Sequence, residues 1–126
     1  MREYLFVYGS LRRGYAHPMS KWLAQHSEKL GEALVRGRLY LVSWYPGLVP
    51  GEEGKVKGDL FLLADGFDFS VLDAYEDCTG AVSDEYCRHQ INVALPTGEE
   101  VLAWTYVYQL EPSGLKEIVG GDFLEV

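Results

Sequence analysis

The sequence predicts an α+β domain built on a curved sheet or small barrel. Three observations lead there. Segments rich in aromatic and β-branched residues outnumber segments with helical periodicity. The two kinds follow one another in mixed order, without the regular strand–helix alternation of a parallel α/β sheet. The 126 residues contain no repeat, low-complexity tract or interior linker, so they make one domain with room for a real core.

Tyr4 to Tyr8 is aromatic and β-branched, a buried first strand. Gly9-Ser10 breaks it, and Leu11-Arg12-Arg13-Gly14-Tyr15 continues as a loop or short turn. Pro18 suits the first turn of a helix, with Met19, Trp22, Leu23 and His26 following at helical spacing. Ala33 to Val42 is a second strand, with Gly37 marking a bend or close backbone approach. Trp44-Tyr45-Pro46-Gly47-Leu48-Val49-Pro50-Gly51 is a turn-rich connection, either folded over the core edge or forming a pocket wall. Val56 to Leu63 is a third strand and Phe69 to Glu76 a helix. Cys78 to Glu85 is a polar surface loop. Tyr86 to Leu95 and Val101 to Tyr108 form a hairpin across Pro96-Thr97-Gly98-Glu99, and Lys116 to Val119 a last short turn.

Composition excludes several classes of function. A formal net charge of −8 opposes nucleic acid and anionic membrane surfaces alike. No apolar run approaches the roughly 20 residues of a membrane span. Met1-Arg2-Glu3-Tyr4-Leu5-Phe6 carries an acid inside its apolar run and reads as a strand rather than a signal peptide. A cytoplasmic protein is expected, and oligomeric state is left open. Cys87 and His89 are close, but His17 and His26 lack the paired spacing of a zinc site, so no metal is expected. Cys78 and Cys87 are either two free thiols, the expectation for a cytoplasm, or a disulfide closing the loop between them.

The helix at 69–76 holds an oddly placed acid. Phe69, Leu72 and Glu76 fall on one stripe, and two of the three are core formers. Ser70 with Asp73 three residues on resembles a capped start, which puts Glu76 in the last turn at the negative end of the helix dipole. Burial and dipole would both favour the protonated acid, lifting it toward the range of a general acid/base. The competing reading turns Glu76 to solvent or pairs it with a cation.

Tyr8-Gly9-Ser10-Leu11 is the second informative place. Glycine after a buried strand permits consecutive exposed N–H groups, an anion-binding nest, although a plain turn has the same pattern. The Gly-Lys-Ser/Thr ending of a phosphate loop is absent, and Ser10 does not stand in a nucleophile elbow.

Together with Gly37-Arg38-Leu39-Tyr40, Tyr45-Pro46-Gly47, Gly58-Asp59-Leu60-Phe61, Leu72-Asp73-Ala74-Tyr75-Glu76, Tyr86-Cys87-Arg88, Ala103-Trp104-Thr105-Tyr106-Val107-Tyr108 and Gly121-Asp122-Phe123, this pattern resembles the γ-glutamylcyclotransferase-like proteins, in their avirulence-induced-like and γ-glutamylamine cyclotransferase branches. The resemblance spans nearly the whole chain. It implies a small mixed β-barrel with flanking short helices, and a pocket between the Tyr-Gly-Ser-Leu loop and the family acid, which matches Glu76. It also implies a small γ-glutamyl amine or peptide as substrate, 5-oxoproline and free amine as products, and no cofactor. The implied substrate-binding residues are Tyr8, Gly9, Ser10, Leu11, Tyr45 and Tyr106. Such a substrate carries its own nucleophile, the α-amino group, so one carboxylate that accepts and returns a proton suffices. Tyr75 and Tyr108 resemble further pocket-lining residues. In one departure from the family pattern, Asp77-Cys78 follows the acid where glycine is usual. The alternative function is a non-catalytic domain of the same fold, either binding a small carboxylated metabolite or serving as an accessory domain.

Overall fold

The described elements run β1 (Tyr4–Val7), α1 (Pro18–Gln25), β2 (Ser27–Leu41), β3 (Pro46–Leu63), α2 (Phe69–Tyr75), β4 (Tyr86–Ala94), β5 (Glu100–Tyr108) and β6 (Lys116–Glu117). The computed structural model describes residues 3–9, 18–43, 45–76, 78–81 and 83–123. β1 pairs antiparallel with β3, β3 with β2, β2 with β4 through Leu34 and Ala94, and β4 with β5. β5 returns to β1 in parallel at Leu5 and Trp104, which closes a mixed five-stranded barrel, while β6 extends β2 at Tyr40 and Leu41.

Alternation sorts the side chains. β2 places Ala33, Val35 and Leu39 inward and Glu32, Leu34, Arg36 and Arg38 outward. The inward residues fill the barrel with Phe6, Leu48, Leu60 and Phe123. A second apolar cluster lies on the outer face, where Leu5, Val7 and Phe61 of the strands meet Leu23 of α1 and Leu72 of α2. The seam between β1 and β5 is pinned by side chains. Thr105 Oγ1 donates to the Phe6 carbonyl at 2.9 Å, and Tyr8 Oη donates to the Tyr106 carbonyl at 2.5 Å. A fully buried hydroxyl needs such an acceptor, so the same bonds satisfy both groups and hold the closure.

Several element boundaries differ from the sequence-based expectation. α1 ends at Gln25, so His26 lies beyond it, stacked on Trp22. β2 begins at Ser27 instead of Ala33 because its first residues pair along Leu63, Leu62 and Phe61 of β3. The turn-rich stretch from Pro46 onward is β-strand. Its register jumps from Arg36–Lys55 to Gly37–Pro50, so residues 51–54 bulge out of an otherwise continuous hairpin. Gly37 at φ +152 and Gly54 at φ +83 supply the backbone that this bulge requires. The last expected turn contains β6. Ser70 is not the cap of α2: Asp68 is, accepting the Ser70 N–H at 3.0 Å.

Gly58 packs directly against β1, and a Cβ there would overlap the Val7 carbonyl and come within 2.5 Å of the Phe6 ring. Gly58→Ala is therefore expected to lower unfolding stability by about 1–3 kcal/mol through overpacking, measured as a shifted urea midpoint at unchanged slope.

Candidate functional site

Tyr8, just past β1, and Glu76, at the end of α2, lie near enough that the Glu76 charge acts on the Tyr8 hydroxyl. Tyr8 follows β1, and its hydroxyl is committed on both sides: it donates to the Tyr106 carbonyl and accepts the Leu48 N–H at 3.2 Å. Gly9 lies against Pro46, whose Cγ would be 3.1 Å from an added Cβ. Gly47 in turn faces Tyr108, whose Cβ and Cγ would stand 2.9 Å from a Cβ there. Gly9 thus lets the Tyr8-Gly9 segment touch Pro46, and Gly47 lets the Tyr45-Pro46-Gly47 segment sit against Tyr108 of β5. A larger side chain would push apart the first pair at Gly9 and the second at Gly47.

Tyrosines line this junction. Tyr86 Oη donates to the Pro46 carbonyl at 2.5 Å, and Tyr45 Oη donates to Glu85 Oε1 at 2.6 Å. The Tyr86 ring stands 6.1 Å from Tyr45 and 5.9 Å from Tyr108. Tyr106 and Tyr108 share the outer face of β5, and Tyr106 Oη donates to Asp73 Oδ1 at 2.7 Å.

Glu76 is the C-terminal cap of α2, half-buried, with its N–H held by the Leu72 carbonyl at 2.9 Å. Leu72 is fully buried and Phe69 half-buried, so the stripe on which these residues fall faces the protein. The charge of Glu76 reaches three tyrosine hydroxyls. Burial is the main cause that lifts Tyr8 above its ordinary pKa, and Glu76 adds to it while the Leu48 N–H opposes it. Burial likewise leads for Tyr86, followed by Tyr8 and Glu76, and for Tyr106, followed by the bond to Asp73. These phenols stay neutral at any working pH. They border the site without adding a titrating group.

Of the residues expected at the site, the structure brings together Glu76, Tyr8 and Tyr106, with Gly9 and Tyr45 joined to them through Pro46 and Tyr86. Ser10 and Leu11 lie outside the described residues, as do Trp44 and Asp77. Tyr75 packs with the outer cluster and is half-buried.

Sequence reasoning missed Tyr86, Asp73, Arg88 and Asp84. The first three are joined through partners distant in the chain. Asp84 carries a local signal, an acid closing a Thr-Gly-Ala turn. Its carboxylate collects the N–H groups of Thr79, Gly80 and Ala81 at 2.7, 3.1 and 3.2 Å, which holds it below the usual carboxylate range and orders the loop after Glu76. Cys78 and Cys87 are half-buried free thiols, and burial pushes Cys78 up, away from the reactive thiolate. Among the described residues, no group of three or more His, Cys, Asp and Glu is placed to hold a metal ion. No described helix is long and apolar enough to cross a membrane.

Known proteins share the family and the fold of this chain. Residues 5–125 match the family model described as "Gamma-glutamyl cyclotransferase, AIG2-like". The γ-glutamylcyclotransferase family protein YtfP of Escherichia coli K12 is 38% identical over 122 residues, 96% of each chain. The solution structure of E. coli YtfP superposes with a TM-score of 0.62 over 99% of this chain and 97% of that one, at 36% identity. The crystal structure of YkqA from Bacillus subtilis gives 0.74 at 26% identity, covering 99% of this chain and 40% of that one. With its barrel, its two helices and nearly all of its length matched, the chain belongs to the γ-glutamyl cyclotransferase, AIG2-like family.

Proposed function

We propose that this protein is a γ-glutamyl cyclotransferase that converts a small γ-glutamyl amine or peptide to 5-oxoproline and a free amine, with Glu76 as general acid/base. The supporting observation is the position of Glu76, half-buried at the end of α2 with its charge felt by Tyr8, Tyr86 and Tyr106. A carboxylate walled by neutral phenols is the group suited to exchange a proton there.

The substrate's neutral α-amine attacks its own γ-carbonyl carbon, forming the ring C–N bond, and Glu76 takes the proton from that nitrogen. The tetrahedral intermediate then collapses: the bond to the departing nitrogen breaks, and Glu76 returns the proton to it. Ring closure within one molecule supplies the proximity that would otherwise require an enzyme nucleophile. The backbone N–H groups of Gly9, Ser10 and Leu11 are assigned to the substrate carboxylate or the developing oxyanion. Tyr45 and the Tyr106 face form the remaining wall.

A panel of γ-glutamyl amines and peptides, glutathione included, tests the reading by chromatographic detection of 5-oxoproline. At least one member should yield 5-oxoproline and amine in equal amounts. Panel members that bind measurably while none is turned over would favour a binding domain of the same fold.

A further inference from the structure

One helical turn before Glu76, Asp73 makes contacts that no local pattern explains. Its Oδ1 accepts the Tyr106 hydroxyl at 2.7 Å and lies 3.6 Å from Arg88 Nε. Arg88 and Tyr106 are direct partners across β4 and β5. The Arg88 guanidinium carbon sits 4.1 Å from the centre of the Phe69 ring and 5.1 Å from that of Trp104, so one ring from α2 and one from β5 fix its plane. Asp73 also acts through its backbone: its carbonyl accepts the Cys78 N–H at 2.8 Å, closing the turn that contains Glu76. Tyr106, the other end of the tether, receives the Tyr8 hydroxyl on its own carbonyl.

We propose that Asp73 is a positioning residue that clamps the end of α2 to the barrel through Tyr106 and Arg88, and so sets where the Glu76 carboxylate stands. The proposal rests on the assignment of Glu76 as the acid/base. An acid one turn from another acid is electrostatically unfavourable, and a surface helix gains little from it. Here Arg88 offsets the charge, and a half-buried pair of this kind holds geometry more than it adds stability. The phenol of Tyr106 requires an acceptor in its buried setting, and Asp73 supplies one that is anchored from the other side. Asp73 acts through Glu76 without touching the substrate, and Tyr106 gives the tether its hydroxyl while its ring remains part of the wall.

Small misplacements of a catalytic group cost rate more than binding, on the order of 10²-fold per ångström. Asp73→Asn keeps an acceptor but loses the charge that holds Arg88, and Tyr106→Phe removes the donor. Each should lower kcat about 10–100-fold with KM changed by less than about threefold, and the double variant should lose no more than the worse single one. In a Glu76→Gln background, Asp73→Asn should lower the residual kcat no further. Amide exchange reads the same tether without turnover: the Glu76 and Cys78 amides should exchange at least about tenfold faster in both variants, with β4 and β5 unchanged. A raised KM at preserved kcat in Asp73→Asn would place that side chain on the substrate instead and overturn the proposal. So would unchanged amide exchange, or a further loss in the Glu76→Gln background. If Glu76→Gln is itself fully active, the acid/base assignment fails instead, and amide exchange alone decides whether the clamp exists.

Discussion

Glu76→Gln should fold as the parent does and lose about 10²–10⁴-fold in kcat for 5-oxoproline release. The substitution keeps shape and hydrogen-bonding capacity but cannot carry a proton between the two nitrogens. Glu76 caps a helix whose burial depends on Leu72 and whose start depends on Asp68, so the fold does not need its charge. The neighbouring phenols of Tyr8, Tyr86 and Tyr106 are neutral donors already bonded to carbonyl or carboxylate oxygens, and none can substitute as a base near neutral pH. The measurement is single-substrate kinetics with the melting temperature recorded in parallel. Full turnover by the variant would remove Glu76 from the mechanism.

Leu72→Ala should have the largest effect on stability, about 2–5 kcal/mol, because the side chain is fully buried where α2 meets the barrel and the short helix cannot close the resulting cavity. Denaturant titration measures it. Leu72→Val, which retains most of the volume, should cost less than half as much. Leu72→Ala also loosens the seat of α2, which carries Glu76 at its end. The destabilised variant should therefore also lose activity at temperatures where it remains folded. Equal stability of the Ala variant and the parent would mean that α2 is not seated as described.

How far the sequence carried this picture depended on the range of the forces involved. The alternation of β2 and the hairpin of β4 and β5 were legible because strand period and turn chemistry are local: Gly98 takes φ +89, and the Leu95 N–H closes on Glu99. The continuity of β3 was not legible, since the Gly-Glu-Glu-Gly insertion reads as a loop and only pairing with β2 carries the strand across it. The helix starts at Phe69 as the sequence indicates, but its cap was not legible because both Asp68 and Ser70 are good caps, and their mutual hydrogen bond decides between them. Glu76 stood out as an acid on an apolar stripe. Asp73 did not, for an acid on a short helix is ordinary until Tyr106, 33 residues away, is found bonded to it.

The most direct test of the central claim is a structure of the protein with 5-oxoproline bound. The account predicts the ring at the junction of the Tyr8-Gly9 segment and α2, with the ring nitrogen, formerly the attacking amine, about 2.6–3.2 Å from a Glu76 carboxylate oxygen. A product bound elsewhere, such as in the open cleft by Arg38 and Glu53 on the β2–β3 bulge, would contradict the account, as would a ring at the predicted junction with Glu76 turned away from it.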